Sequence, residues 1–130
     1  MSARILVVED EQLNRFALKK LLEKGGYTVH EAEDGRRALE LMEQETVDCI
    51  LMDVQLPVMN GVEATEVIRA HDGSRYNPKT PIIALTAYAM PGDKEKILTS
   101  GMDDYLAKPA TYQQLEKVLL KYLPKNDTEA

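Results

Sequence analysis

The chain has 130 residues, of which 44% are hydrophobic and 29% charged, and its formal net charge is −6. This length suits one domain with a core of its own, and the composition is typical of a soluble globular protein. A negative chain with one Phe, no Trp and no basic stripe makes direct nucleic-acid binding by this domain unexpected. One cysteine, inside an apolar segment, excludes a disulfide or cysteine-metal framework.

The chain shows no apolar run of membrane-spanning length, and its N-terminus, MSARILVVED, lacks a signal-peptide pattern. We therefore expect a cytoplasmic location and no membrane contact by this domain. The chain would then be either a cytoplasmic protein or the cytoplasmic part of a membrane-bound parent.

Short apolar segments alternate with amphipathic ones along the chain. The apolar segments predict strands at residues 5–8, 28–32, 47–53, 81–86 and 104–108. The second of them alternates polar and apolar residues, which indicates a strand near a sheet edge. The third is the most continuous, and beyond Asp53 the chain breaks at Pro57.

A helix is predicted after each strand. The first places Leu13, Ala17 and Leu21 on one face, which Phe16, Leu18 and Leu22 broaden, and Gly25-Gly26 ends it. The other four helices are predicted from their apolar spacing and end signals. The second has Ala38, Leu41 and Met42 on its inner face, and the third spans residues 62–70 with Ala64, Val67 and Ile68 inward. The fourth spans residues 91–100, and the fifth has Leu115, Val118, Leu119 and Tyr122 on its inner face and ends before Pro124.

Alternating strands and helices predict an α/β fold in which helices cover both faces of a parallel sheet. For five strands the common doubly wound, flavodoxin-like order is 2-1-3-4-5, and a ligand binds at the switch point between strands one and three. Residues 1–124 are predicted to form this domain, and residues 125–130 a C-terminal tail.

Polar residues follow four of the predicted strands: Glu9 and Asp10, Asp53, Thr86, and Lys108. Parallel strands bring their carboxyl ends to one edge, so three carboxylates converge there. Two carboxylate charges about 4 Å apart repel each other by on the order of 4 kcal/mol at an effective dielectric constant near 20. The cluster must therefore bind protons or a cation, and oxygen ligands without His or Cys suit Mg²⁺ beside a phosphate group.

The sequence contains neither a P-loop nor a G-x-G-x-x-G motif that would hold a phosphate. A phosphate at this edge must therefore be held covalently or by a metal and a lysine. Asp53, alone at the end of the central strand, is the best candidate for a carboxylate nucleophile that forms an aspartyl phosphate.

These segments closely resemble the receiver domain of two-component response regulators over nearly the whole chain. The resemblance rests on ILVVEDE, CILMDVQLPVMNG, PIIALTAYAM and DDYLAKPA. The segments LMDVQLPVMNGVEAT and GMDDYLAKP are most similar to the receivers of hybrid sensor histidine kinases. The partners that the resemblance implies are a histidine kinase, a histidine phosphotransfer domain, or both.

The resemblance assigns Asp53 as the acceptor of a phosphoryl group from a phosphohistidine. It implies that Asp10 and Asp53 bind Mg²⁺ directly, with the backbone carbonyl of Gln55 as a third ligand and Glu9 acting largely through water. Lys108 is expected to contact a phosphoryl oxygen.

The resemblance also implies a switch. The hydroxyl of Thr86 turns to the phosphoryl group, the Ala87 amide assists, and Tyr105 moves inward. Helix four, strand five and helix five form the expected output face and the expected contact of any homodimer. The Lys108-Pro109 bond resembles the family's cis peptide.

Several alternatives stay open at this point. The chain is either part of a hybrid kinase, whose whole would be a protein-histidine kinase, or a stand-alone single-domain response regulator. The domain itself would catalyse only its own phosphorylation and dephosphorylation. A phosphatase of the haloacid dehalogenase type is disfavoured because Gln55 stands where that family needs an acid. A receiver that never takes phosphate, or a flavodoxin-like cofactor binder, fits the residues less well.

Overall fold

The computed structural model of the chain describes residues 3–56, 58–87 and 91–123, with the backbone alone at 91–94. The predictions made for Pro57, Pro124 and the tail at 125–130 lie outside these residues. No helix in the described ranges is both long and apolar enough to cross a membrane.

Strands and helices alternate strictly in the described chain. Their bounds are β1 (Arg4–Val8), α1 (Gln12–Lys24), β2 (Thr28–Ala32), α2 (Gly35–Gln44), β3 (Cys49–Asp53), α3 (Gly61–Ala70), β4 (Ile82–Thr86), α4 (Pro91–Thr99), β5 (Asp104–Ala107) and α5 (Tyr112–Tyr122). Each predicted strand is present, and its bounds differ from those expected by at most two residues.

The five strands form one sheet in the order β2-β1-β3-β4-β5, and every pairing is parallel. This confirms the predicted fold, and β2 lies at an edge as its alternating pattern indicated. All residues of β3 and β4 are buried, as expected for strands covered on both faces. The chain reverses its direction across the sheet between β1 and β3, which places a crevice at their carboxyl ends.

The core has two layers, one on each face of the sheet. Alternate strand residues such as Leu6, Ile50 and Ile82 pack with side chains from α2, α3 and α4. Their neighbours, such as Val7 and Leu51, pack with side chains from α1 and α5. Burial of these aliphatic side chains, each contributing roughly 1.5–3 kcal/mol, is the main force that holds the helices to the sheet.

The apolar face predicted for α1 is correct in part. Leu22 is fully buried, and Leu18 and Leu21 pack beside it, as predicted. Leu13 and Phe16, by contrast, are 76% and 54% exposed, and Ala17 is exposed as well. Arg15, a polar residue that the apolar pattern cannot place, is largely buried on this helix and donates to the carbonyl oxygen of Glu9, just beyond β1.

A similar difference occurs in α3, where Ala64 and Ile68 are buried as predicted but Val67 is 44% exposed. Thr65 is buried on this helix instead of Val67, and its hydroxyl donates to the carbonyl oxygen of Gly61 at 2.7 Å. Because that hydroxyl finds a partner on its own helix, a polar side chain can face the core there.

The long polar connection between α3 and β4 is fixed by one arginine. Arg69 donates to the carbonyl oxygens of Pro78 and Thr80 at 2.7 and 2.8 Å. It also donates to the carbonyl oxygen of Gly101 and to the carboxylate of Asp103, both at 2.8 Å. This guanidinium therefore ties the connection to the segment that precedes β5.

Candidate functional site

The centre of the site is a lysine between two carboxylates at the carboxyl ends of the strands. The Lys108 ammonium donates to Oδ2 of Asp53 at 2.6 Å and to Oε1 of Glu9 at 2.7 Å. The Glu9 and Asp53 side chains are only 1% and 8% exposed. A partly buried ammonium therefore supplies the countercharge for two buried acids.

The pKa of Lys108 reflects this position. Burial lowers the pKa of the ammonium, but the hydrogen bonds and the attraction of Asp53 and Glu9 raise it by more, so the pKa lies above its ordinary value of 10.5. Lys108 is consequently protonated and positively charged in this site at neutral pH.

A third carboxylate completes an acidic cluster. Asp10 is exposed, and one carboxylate oxygen from each of Glu9, Asp10 and Asp53 lies within 4.8 Å of the others. The second oxygen of Glu9, Oε2, is buried and has no hydrogen-bond partner among the described residues. Oxygen donors at this spacing, one of them buried and unpaired, fit a hard divalent cation.

The chain turns sharply after Asp53 and returns past it. The backbone N–H of Gln55 donates to Oδ1 of Asp53 at 2.9 Å, so both carboxylate oxygens of Asp53 have donors. The N–H of Gly61 then donates to the carbonyl oxygen of Val54 at 3.1 Å. α3 begins here with a capping box between Asn60 and Glu63, which fixes the end of the loop.

We expect Gly61→Ala to disturb the site, because a Cβ at this position would collide with the backbone carbonyl of Asp53. The expected cost is about 1–3 kcal/mol in the free energy of unfolding, together with slower phosphorylation of Asp53. Urea unfolding and phosphorylation kinetics would measure the two effects.

Gly26→Ala is the matched control for this prediction. Gly26 has a φ of +92° and no atom near an added Cβ, so it tests the cost of a left-handed residue alone, roughly 1–2 kcal/mol. Slowed phosphorylation in the Gly26 variant as well would show that general destabilisation, not displacement of Asp53, causes the effect.

The two residues proposed for the switch lie on one face of the sheet. Thr86 is buried at the end of β4, and Tyr105 is half-buried in β5. Ala84 pairs with Tyr105 across the two strands. Ala84 and Tyr105 contact the same core layer, and Thr86 shares their face because side chains alternate along a strand. The backbone N–H of Lys108 donates to the carbonyl oxygen of Thr86 at 2.8 Å. Thr86 is thereby linked through the backbone to the lysine that binds Glu9 and Asp53.

The structure thus brings together Glu9, Asp53 and Lys108 by direct hydrogen bonds and places Asp10 beside them. Gln55 contacts Asp53 through its backbone N–H. Ala87 is exposed and directly follows Thr86, and the Lys108-Pro109 peptide is cis.

Sequence reasoning missed Arg15, whose guanidinium contacts the backbone carbonyl of Glu9, the first residue of the acid pair Glu9-Asp10. The available signal was a basic residue in the first turn of a helix, where the helix dipole disfavours positive charge. Such a residue needs acceptors outside its own helix, and the sequence does not tell where they lie.

The strand order and the site at the carboxyl edge define a flavodoxin-like α/β domain of the receiver type. The family model of the response regulator receiver domain matches residues 5–120. The chain belongs to this family, and it is a receiver domain of two-component signalling.

The sensor protein GacS of Pseudomonas syringae pv. syringae is 46% identical over 119 residues, which make up 92% of this chain and 13% of that protein. The chain thus spans about an eighth of that relative's length. Among solved structures, the receiver domain of sensor histidine kinase PA1611 from Pseudomonas aeruginosa, with magnesium in its active site cleft, is 42% identical with a TM-score of 0.83. The match covers 94% of this chain and 98% of that one.

A second solved structure is the complex of the Saccharomyces cerevisiae histidine phosphotransfer protein Ypd1 with the receiver domain of Ssk1. Its matching chain is 32% identical with a TM-score of 0.85. The match covers 93% of this chain and 88% of that one.

Proposed function

We propose that this domain accepts a phosphoryl group on Asp53 from a phosphohistidine of a partner protein, in a reaction that depends on Mg²⁺. The observation that carries the proposal is the pair of contacts to the Asp53 carboxylate, from the Lys108 ammonium at 2.6 Å and the Gln55 N–H at 2.9 Å. These donors orient the carboxylate at the carboxyl edge of the sheet, beside the other acids.

In the proposed reaction an oxygen of Asp53 attacks phosphorus and forms a P–O bond. The P–N bond to the partner's imidazole breaks, and the imidazole leaves with the electron pair and takes up a proton from solvent water. Lys108 then exchanges its bond to the Asp53 carboxylate for one to a phosphoryl oxygen, while Glu9 keeps hold of its ammonium. Phosphoryl transfer depends mainly on alignment and charge neutralisation, which these residues provide.

Asp10 and Asp53 are the residues that would bind Mg²⁺ directly, with the Gln55 carbonyl as a third ligand and Glu9 acting through water. When bound, Mg²⁺ supplies positive charge next to the phosphoryl oxygens. The three carboxylates of the acidic cluster support this assignment.

The same proposal includes a switch toward α4, β5 and α5. A phosphoryl group adds strong acceptor oxygens, and the proposed donors to them are the Thr86 hydroxyl at the end of β4 and the N–H of Ala87, which follows it. Movement of Thr86 would leave space on the sheet face that it shares with Tyr105, and repacking of Tyr105 would alter the surface formed by β5 and its helices. That surface is also the proposed contact of a homodimer.

The proposed parent is a hybrid sensor histidine kinase, because GacS, which this chain matches over 13% of its length, is a sensor protein. The proposed partners are the histidine kinase and a histidine phosphotransfer domain, and the second is supported by the Ypd1–Ssk1 receiver complex. A stand-alone response regulator remains the alternative. Gln55, whose side chain is not an acid, argues against a phosphatase that turns over external substrates.

Incubation of the domain with Mg²⁺ and acetyl phosphate tests the proposal without a partner. Intact-mass spectrometry should find one added phosphoryl group that mild alkali removes, as an acyl phosphate requires. No incorporation, or an alkali-stable phosphate, would contradict it.

We expect Thr86→Ala to accept phosphate but to lose most of the change in amide exchange that phosphorylation causes in β5 and α5. Hydrogen–deuterium exchange with mass spectrometry, with and without phosphorylation, measures this coupling. Thr80→Ala is the control, because Thr80 is also buried but donates to the carbonyl oxygen of Asn77 in the α3–β4 connection. Intact coupling in the Thr86 variant would exclude its switch role.

A further inference from the structure

Arg15 connects the first turn of α1 to the acid pair. Its Nη1 donates to the backbone carbonyl oxygen of Glu9 at 2.8 Å, and its Nε donates to Oε1 of Glu31 on β2 at 3.3 Å. The Arg15 side chain is only 17% exposed. Since the helix dipole opposes a cation at this position, these two acceptors hold the guanidinium in place.

The backbone of Glu9 is consequently fixed from two sides. Its N–H donates to the carbonyl oxygen of Ala32 at 3.0 Å, and its carbonyl accepts from Arg15. Its side chain has one oxygen on Lys108, and the other is buried without a hydrogen-bond partner in the described structure. The direction of that unpaired oxygen, and the position of Asp10 one residue later, depend on the peptide that Arg15 holds.

We propose that Arg15 is a positioning residue for the cation site, and that Glu31 holds Arg15 in the orientation this needs. The inference rests on the proposed function, because it concerns the cation of the same reaction. Groups that orient metal ligands without touching the metal commonly change metal affinity by 10–100-fold. Arg15 does this through a backbone carbonyl, so its effect reaches both acids of the pair.

Charge and geometry make opposite predictions for this residue. The Arg15 guanidinium is positive, so through charge alone its removal would strengthen the binding of a cation. Through geometry its removal would free the Glu9 peptide and weaken binding. The sign of the change in Mg²⁺ affinity therefore distinguishes the two.

The test is Arg15→Met, which keeps an unbranched side chain and removes both hydrogen bonds. Lys19→Met is the matched control: Lys19 lies on the same helix and contacts the other oxygen of Glu31 at 3.4 Å. Among the described residues, its side chain forms no hydrogen bond or ion pair with Glu9. Mg²⁺ is titrated into each protein, and its dissociation constant is taken from backbone amide chemical shifts. Phosphorylation by acetyl phosphate is followed at low and at saturating Mg²⁺.

We expect Arg15→Met to weaken Mg²⁺ binding about tenfold, and Lys19→Met to leave it unchanged. Phosphorylation of the Arg15 variant should be slow at low Mg²⁺ and recover at saturating Mg²⁺. Arg15→Lys keeps the charge but has a single donor nitrogen in place of the two that reach Glu9 and Glu31. It should lose less affinity than Arg15→Met, and it serves as the test if the methionine variant does not fold.

Unchanged or tighter Mg²⁺ binding in the Arg15 variants would overturn the inference, and so would an equal loss in Lys19→Met. The proposed function fails separately, since it requires the wild-type domain to take a phosphoryl group. A labelled wild type with an unaffected Arg15 variant would therefore reject the positioning role alone.

Discussion

Asp53→Asn is expected to abolish phosphorylation by acetyl phosphate at any Mg²⁺ concentration. The amide has nearly the shape of the carboxylate and can still accept the hydrogen bond that the Gln55 N–H gives to Oδ1 of Asp53. It lacks the charged oxygen that would attack phosphorus. Removal of one of several neighbouring like charges should leave the folded state without Mg²⁺ at least as stable as the wild type.

Intact-mass spectrometry measures the incorporation, and thermal unfolding confirms that the variant is folded. Asp10→Asn is the control because Asp10 belongs to the same acidic cluster but is not the proposed acceptor. It should still be phosphorylated, at a higher Mg²⁺ concentration. Equal labelling of wild type and Asp53→Asn would end the assignment of Asp53.

Lys108→Met is expected to slow phosphorylation by about 100-fold, the usual effect of removing one preorganised donor from a reacting group. It should also destabilise the domain without Mg²⁺ by about 3 kcal/mol, because it leaves buried carboxylates without their countercharge. These carboxylates are Glu9 and Asp53, which Lys108 contacts at 2.7 and 2.6 Å. Added Mg²⁺ should therefore stabilise this variant more than the wild type.

The pH dependence gives a second measure of the same lysine. The pKa of Lys108 is raised above 10.5 in the folded state, so its contribution to stability is complete below that pH. The contribution is lost as the pH rises through the folded pKa. The stability difference between wild type and Lys108→Met should therefore be constant near neutral pH and shrink in strong alkali.

Urea unfolding at a series of pH values, with and without Mg²⁺, measures these differences. Lys117→Met, at an exposed position of α5, controls for the loss of a positive charge in general. Equal stability of Lys108→Met and wild type at neutral pH, with no additional effect of Mg²⁺, would show that Lys108 does not neutralise the acids.

Much of this fold can be predicted from the sequence because its three central strands, β1, β3 and β4, are nearly continuous apolar runs. A strand buried on both faces leaves little freedom in its identity, and parallel pairing then brings every carboxyl end to one edge. Asp53, Thr86 and Lys108 were therefore expected near one another from their places in the chain alone. The exact first and last residues of each strand are harder to predict, since whether a terminal residue is hydrogen-bonded depends on where the neighbouring strand ends.

The sequence alone does not reveal which groups the long polar side chains contact. Arg15 is largely buried and donates to the carbonyl oxygen of Glu9, whereas Leu13, which the apolar pattern placed on the inner face, is exposed. Arg69 reaches acceptors on two separate loops, which no local pattern encodes. The pairing of Glu9 with Lys108, 99 residues away, was not expected from the sequence, which predicted for Glu9 only a water-mediated contact with a cation.

The sulfur atom of Cys49 gives the domain a built-in probe of sheet opening. Cys49 is the chain's single cysteine and lies fully buried in the central strand, and burial raises the pKa of its thiol to about 12. At mildly alkaline pH an alkylating reagent should thus react only with molecules whose sheet has transiently separated. Because a ligand that binds only the native form lowers the population of such molecules, the alkylation rate would measure Mg²⁺ binding without an engineered label.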